Sequence, residues 1–402
     1  MKRIGLVGIL GLYNYGTEAI VRGTYELINS TNPNTRVIYF TESYQYDRDI
    51  LKNTRIEVKK YPKNNRFLVR IINKILRVIN IDYQFPFWNY KKIICEVDVV
   101  FSVGGDLYTI PKDILSNSKE KGYNQMIDFG RFVAKKRNIY IWGASIGPFG
   151  NKKEILDYYR LNLSNIDKIY LRETASLDYL RNIGLSSIAF LPDPAFYVNV
   201  KKANVIDLVE KKWIGINLSE LSFDEVFGEK RENAIKKTIL SIENLLMNTT
   251  YNILFIPHVF STFSNKDNDY IFMNNIRDLI STPLKNRVEI IEEGLGFLGT
   301  NQALKKCFML MSARMHLCIN GIIGNIPTVF ISYSQKSRGM SNFIYKDDQL
   351  LVSLEEFPSK ISEIVSNVIN DYDNILLKIK YNKDEIDIYK LEILKEFNSI
   401  LK

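Results

Sequence analysis

The sequence predicts an α/β protein of two Rossmann-like domains facing a cleft, with a C-terminal helix able to cross back to the first domain. Three observations carry this. Through residues 1–197, short β-branched runs alternate with Gly/Asn/Ser turns and amphipathic helical stretches, the pattern of a doubly wound, mostly parallel sheet. Residues 198–212 are polar and lysine-rich and read as a linker. The alternation restarts at Trp213 and runs to residue 371, and residues 372–402 form a charged amphipathic tail. A chain of 402 residues is long enough for two such domains.

Taken in order, residues 4–9 read as a buried strand. The preceding Met1-Lys2-Arg3 gives them a superficial likeness to a signal peptide. However, the apolar run is short, lacks a small-x-small cleavage site and leads directly into Asn14, Gly16 and Glu18. The turn of residues 11–16 precedes a helix at 17–29. It fits two uses: backbone N–H groups offered to an anion, or a glycine turn that only reverses the chain. Further strands are expected at 36–41, 55–60, 97–103, 138–142, 167–171 and 187–191, with a helix at 174–183. The second domain reads as strands 213–217, 252–256, 287–291 and 307–311, with 327–332 as the last. Helices are expected at 232–247, 270–280 and 297–305.

Segment 66–80, RFLVRIINKILRVIN, stands apart. Phe67, Leu68, Ile71, Ile72, Ile75, Leu76 and Ile79 make an apolar stripe at helical spacing. Arg66, Arg70, Asn73, Lys74 and Arg77 make the other face, and Tyr83, Phe85, Phe87 and Trp88 follow. Such a helix suits an anionic membrane surface. It equally suits a core-packing helix with a solvated basic face.

The net charge of +9 and pI near 9.1 favour anionic partners. No nucleic-acid-binding signature is visible, so small phosphorylated ligands and membrane surfaces rank ahead of nucleic acid. Cys95, Cys307 and Cys318 have neither disulfide nor metal spacing, which fits a reducing, cytoplasmic compartment, and segment 66–80 adds the expectation of peripheral contact with the inner face of a membrane. The uncharged run 315–335 is interrupted by Asn320, Asn325 and Pro327, which argues against a membrane span.

Chemistry concentrates in residues 311–340. Arg314 and His316 open the stretch, and Lys336 and Arg338 close it. A guanidinium grips carboxylate or phosphate bidentately, lysine adds a compact charge, and histidine exchanges protons near neutrality. On a continuous helix, Arg314 and His316 would point about 200° apart. On a turn entering a helix, both can face one ligand. Strand ends elsewhere carry Gly104-Gly105-Asp106, Arg172-Glu173, His258 and Glu292-Glu293. His258 fits either a ligand contact or a structural hydrogen bond, and the glutamates either a ligand contact or a solvated pair.

In order, these turns resemble the polysaccharide pyruvyl transferase family. The matching pieces are Asn14-Tyr-Gly16-Thr-Glu18, Gly104-Gly105, Ile146-Gly147-Pro148, Arg172-Glu173-x-x-Ser176 and Asp193-Pro194-Ala195. Ser312-x-Arg314-x-His316 and Ile331-Ser-Tyr333-Ser-Gln-Lys336 complete the set. Thr17 stands where the family often has Asp, and Asp106 where a third Gly is common.

The resemblance implies a GT-B-like fold and transfer of pyruvyl from phosphoenolpyruvate to a sugar of a polysaccharide or lipid-linked precursor. A ketal forms and phosphate leaves. His316 and Arg314 are then expected to be catalytic, with Arg314, Lys336, Arg338 and His258 on the donor. Asn14, Glu18, Asp106, Arg172 and Glu173 fall on the acceptor side. Glu18, Asp106 and Glu173 are the candidate bases. No metal or cofactor is expected. Two other readings share the architecture or the surface: a GT-B nucleotide-sugar glycosyltransferase, in which Glu292 and Glu293 become central, and a non-catalytic glycan- or lipid-binding subunit.

Overall fold

A computed structural model of the chain describes residues 2–79, 84–110, 124–200, 213–261, 264–333 and 335–401, except the side chains of Arg77, Gln335 and Lys336. Asn80, Tyr83 and most of the expected linker lie outside the described residues. The chain divides into two compact units. One comprises Met1–Leu12, Thr24–Pro194 and Glu392–Lys402; the other comprises Tyr13–Gly23 and Ala195–Leu391.

The first unit holds a seven-stranded parallel sheet. Its strands are β1 (Arg3–Val7), β2 (Arg36–Thr41), β3 (Glu57–Lys60), β4 (Val99–Val103), β5 (Asn138–Ala144), β6 (Lys168–Leu171) and β7 (Ile188–Phe190). They lie in the order β3-β2-β1-β4-β5-β6-β7. The winding reverses between β1 and β4, as in a Rossmann sheet. Helices α1 (Tyr15–Thr31), α2 (Tyr44–Ile50), α3 (Arg66–Val78), α4 (Tyr90–Glu96), α5 (Gln125–Ala134), α6 (Lys153–Leu163) and α7 (Thr174–Asn182) alternate with these strands. Every residue of β4 is buried, which is why the strand reads as an unbroken apolar run.

The second unit repeats the plan in six strands ordered β10-β9-β8-β11-β12-β13. These are β8 (Trp213–Asn217), β9 (Asn252–Phe255), β10 (Val288–Ile290), β11 (Cys307–Ser312), β12 (Thr328–Ser332) and β13 (Leu351–Ser353). Its helices are α8 (Glu220–Phe227), α9 (Arg231–Asn248), α10 (Asp269–Asp278), α11 (Thr282–Lys285), α12 (Gly296–Leu304), α13 (Met315–Ile323), α14 (Gln335–Tyr345), α15 (Phe357–Asn370) and α16 (Tyr372–Leu401). The expectation that 327–332 is the last strand is corrected by β13, whose three residues are too few to show a period.

The uncharged run after Arg314 is a buried helix, α13, followed by a turn and the core strand β12, rather than a span. Asn320 inside α13 is tied to α12: Asn301 Nδ2 donates to Asn320 Oδ1 at 2.7 Å, and Asn320 Nδ2 to Phe297 O at 2.9 Å. Among the described residues no helix is long and apolar enough to cross a membrane.

Two segments do not follow the expected division at residues 197 and 372. Tyr13–Gly23 packs with the second unit because residues 13–15 pair with residues 258–260. Tyr15 N donates to His258 O at 3.0 Å and Phe260 N to Tyr13 O at 2.9 Å. Asn14 and Glu18 therefore stand in the second unit, not the first. At the other terminus, Glu392–Lys402 packs with the first unit. Phe397 is fully buried there, its ring 5.5 Å from Phe101 and 4.9 Å from Trp142. Glu396 accepts from Lys168 and from the Tyr170 hydroxyl.

Candidate functional site

The carboxyl ends of β8 and β11 lie side by side where the second sheet reverses its winding, the position at which open α/β sheets gather ligands. Three polar residues knit these ends together. Asn217, at the end of β8, donates through Nδ2 to Ile256 O at 2.9 Å and to Asp269 Oδ2 at 3.2 Å. Its Oδ1 accepts from Ser312 Oγ at 3.3 Å and from Arg314 N at 3.2 Å. Asp269, fully buried at the start of α10, also accepts from the backbone N–H of His258 at 3.1 Å and of Val259 at 3.2 Å.

Arg314 enters the same knot through its side chain. Nη2 donates to Asp269 Oδ1 at 2.8 Å and to Asp267 Oδ1 at 3.0 Å, and Nε to Asp269 Oδ1 at 3.2 Å. Burial alone would lower the guanidinium's pKa, but the field of Asp269 and then Asp267 holds it above its ordinary range. The expectation of an arginine fork open to an incoming carboxylate is thus altered. Two neighbouring carboxylates already face this cation, and the trio carries a net negative charge.

Arg314 is extended (φ −94°, ψ 112°), and the helix begins with the next residue, which puts His316 in the first turn of α13. His316 is half-buried, and its ring lies against Gly16. A Cβ at position 16 would stand 2.5 Å from His316 Nδ1 and 2.7 Å from Cγ, so only glycine admits the imidazole here. The two residues are far apart in sequence but share the second unit.

The turn before α1 is committed internally. Asn14 caps the helix, its Oδ1 accepting from Gly16 N at 2.9 Å and its carbonyl from Thr17 N at 2.9 Å and Glu18 N at 3.3 Å. Leu12 N donates to Asp47 Oδ1 at 2.9 Å. With these amides engaged, the structure favours the chain-reversal use of the turn over anion capture. Glu18 is buried, accepting from Arg22 Nε at 2.5 Å and from Phe297 N at 2.7 Å in the first turn of α12. There a carboxylate meets the positive end of the helix dipole.

His258 is 1% exposed, and neither ring nitrogen has a hydrogen-bond partner among the described residues. Tyr15 meets its ring edge-on at 5.7 Å. Burial, then the fields of His316 and Arg314, holds its pKa well below 6.5, so this imidazole is neutral at pH 7. It is therefore not a cation for the donor.

The remaining predicted residues are dispersed. Arg338 forms an ion pair with Asp348 at 3.0 Å, both side chains about half exposed, a kind of pair that contributes little to stability. Lys336 lies in α14, and its side chain is outside the described part. Glu292 and Glu293 are exposed, Glu292 accepting from the Tyr270 hydroxyl at 3.4 Å.

In the first unit, Arg172 is buried at the end of β6. It donates to Asp193 Oδ2 at 2.7 Å and to Ser145 Oγ at 3.0 Å, and reaches Asp106 Oδ1 at 3.4 Å. Its guanidinium crosses Gly105, where a Cβ would come within 2.4 Å of Nη2. Glu173, next to it, accepts from Ser176 Oγ at 2.8 Å. Asp106 is the open member of this group, its side chain 57% exposed.

Asn217, Asp267 and Asp269 were not singled out from the sequence. Their signal is a strand-end amide and an acidic pair at a helix start, where local capping explains such residues equally well. Asn268, between the two aspartates, does cap α10. No group of three or more metal-ligating side chains occurs among the described residues.

The fold is α/β, of the two-Rossmann-domain, GT-B-like class. HepE of Anabaena, solved with UDP and glucose, matches over 100% of this chain and 99% of its own, with a TM-score of 0.58 at 10% identity. The UDP-GlcNAc 2-epimerase of Neisseria meningitidis, bound to UDP-GlcNAc, matches over 98% and 99%, with a TM-score of 0.61 at 14% identity. The UDP-GlcNAc 2-epimerase of Methanocaldococcus jannaschii matches over 90% and 92%, with a TM-score of 0.54 at 12% identity. At these identities the likeness is one of fold. The polysaccharide pyruvyl transferase family model matches residues 14–335, and the chain belongs to that family. It is a transferase of polysaccharide biosynthesis by that membership.

Proposed function

We propose that the chain moves the pyruvyl group of phosphoenolpyruvate onto two hydroxyls of one sugar, giving a pyruvate ketal and inorganic phosphate. The observation that carries this reading is His316, seated in the first turn of α13 on the bare backbone of Gly16, within a chain of this family. In the proposed sequence His316 protonates the methylene carbon, and positive charge develops at the central carbon. A sugar hydroxyl attacks that carbon, losing its proton, and phosphate leaves with the C–O bonding pair. The second hydroxyl closes the ketal. The two hydroxyl protons balance the one gained by carbon and the one taken up by the departing phosphate or the base.

Nearby residues divide the supporting tasks. His258 is kept neutral by burial, so it does not compete as a proton carrier. Arg314, anchored by Asp267 and Asp269, acts first as a positioning residue for the His316 turn. Lys336 and Arg338 are the proposed cations for the donor. Asp267, one-third exposed and hydrogen-bonded to Arg314, joins the candidate bases. Within the first unit, exposed Asp106 is the proposed sugar contact, and Arg172 fixes its strand end. The acceptor is proposed to be a lipid-linked or polymeric glycan worked on at the inner face of a membrane.

The test is product identity. Phosphate release from phosphoenolpyruvate with candidate glycans supports the reading, and nucleoside diphosphate release from nucleotide sugars supports a glycosyltransferase. His316→Gln is expected to lower turnover by about 10²–10⁴-fold while leaving phosphoenolpyruvate binding within a few fold. Turnover unchanged in that variant would overturn the assignment. The glycosyltransferase reading rests on fold neighbours solved with UDP and glucose or with UDP-GlcNAc. Its expected Glu292-Glu293 pair stands exposed.

A further inference from the structure

Helix α3 turns most of its apolar side chains away from the unit to which it belongs. Val69 and Asn73 are buried, and Ile72 and Leu76 half-buried, so a narrow strip suffices to hold the helix in place. Asn73, expected on the polar face, is thus an inward residue. Phe67 is 71% exposed, Ile75 54% and Val78 77%, with Leu68 and Ile71 exposed beside them. At about 100° per residue these outward apolar positions form one arc, and Arg66, Arg70 and Lys74, all exposed, form its shoulder. The core-packing reading of this stripe therefore holds only for its inner strip.

A second piece of chain is fastened to the inward side of this helix, at Asn73. The Asn73 side chain accepts from Phe85 N at 2.6 Å and donates to Phe85 O at 3.0 Å. Asn64 Nδ2 donates to Pro86 O at 2.9 Å and to Trp88 O at 3.1 Å. These amide clasps hold Phe85 and Phe87, both more than a third exposed, next to the helix. The exposed apolar arc of α3 itself is bordered on one side by the cationic shoulder of Arg66, Arg70 and Lys74.

We propose that this face docks the protein on an anionic lipid bilayer, with α3 lying in the interfacial plane. The apolar arc would enter the headgroup–acyl boundary, while Arg66, Arg70 and Lys74 pair with lipid phosphates. Charge selects this occupant. Segment 66–80 contains no acidic residue in a chain of net charge +9, so a second copy apposed through the same face would bring like charges together. A surface of anionic headgroups complements it. The proposal rests on this face alone and is independent of the reaction assigned above.

The full chain is mixed with phosphatidylcholine vesicles, with or without phosphatidylglycerol, and centrifuged. Wild type is expected to pellet with the phosphatidylglycerol vesicles and to be released by salt. Arg70→Glu with Lys74→Glu is expected to lower partitioning by more than about tenfold. Phe67→Ser with Ile75→Ser is expected to abolish it. Leu377→Ser with Tyr381→Ser, on another exposed surface, should pellet as wild type, and unchanged thermal midpoints show that all variants fold.

Wild type left in the supernatant, or α3 variants that pellet equally, would overturn the proposal. So would loss of a dimer, in place of vesicle binding, in Phe67→Ser/Ile75→Ser. Phosphate release on a soluble acceptor is read separately and reports on the reaction rather than on docking.

Discussion

His316 and Gly16 show how one missing side chain makes room for another. Gly16→Ala would drive a methyl to within 2.5 Å of Nδ1, so the imidazole must shift. A displacement of about 1 Å near reacting atoms costs on the order of 10²-fold in rate. We expect Gly16→Ala to lose that much turnover with only a modest change in thermal midpoint, measured by phosphate release and calorimetry on the same preparation. His258 makes a different prediction. Its folded-state pKa lies well below 6.5 through burial first and the fields of His316 and Arg314 second, so the unfolded chain takes up the extra proton as pH falls. Its contribution to stability is complete above 6.5 and is lost at up to about 1.4 kcal/mol per pH unit as the pH drops toward the folded value. Thermal midpoints followed from about pH 7 to pH 5 should fall more steeply for wild type than for His258→Phe. Parallel curves would contradict the assignment.

At the scale of elements, the ends of β8, β9 and β11 are joined through one carboxylate, Asp269. Its removal leaves Arg314 largely buried with Asp267 as its one ion-pair partner among the described residues. Asp269→Ala is therefore expected to cost about 3–5 kcal/mol, read as a shift in urea midpoint. The strands themselves were legible beforehand: β2 and β8 have the bounds expected of them, 36–41 and 213–217, because parallel strands covered on both faces carry a continuous apolar centre with no polar alternation to blur it. β13 was not legible, since three residues carry no period. Nor was the use of Asp267 and Asp269, because an acidic pair at a helix start looks like capping and its arginine lies 45 residues further along. The apolar stripe of α3 was legible as a stripe, but which part of it meets the core depends on tertiary packing that periodicity does not encode.

At the scale of the whole molecule, the two sheets share one winding order, and each unit is completed by chain from elsewhere. The end of α16 completes the first. Phe397 fills space against Phe101 and Trp142 and has no exposure at all. Phe397→Ala is expected to lower stability by about 3–5 kcal/mol, with hydrogen exchange speeding in β4 and β5. Unchanged protection in those strands would show that the tail is dispensable there.

The second unit, conversely, includes Tyr13–Gly23, encoded far ahead of the rest of that unit. During synthesis on the ribosome that early segment must wait for partners encoded some two hundred residues later, and the opening sheet stays unfinished until Phe397 has emerged. Neither half can mature vectorially, and a gene cut between them should yield two insoluble products rather than two working modules.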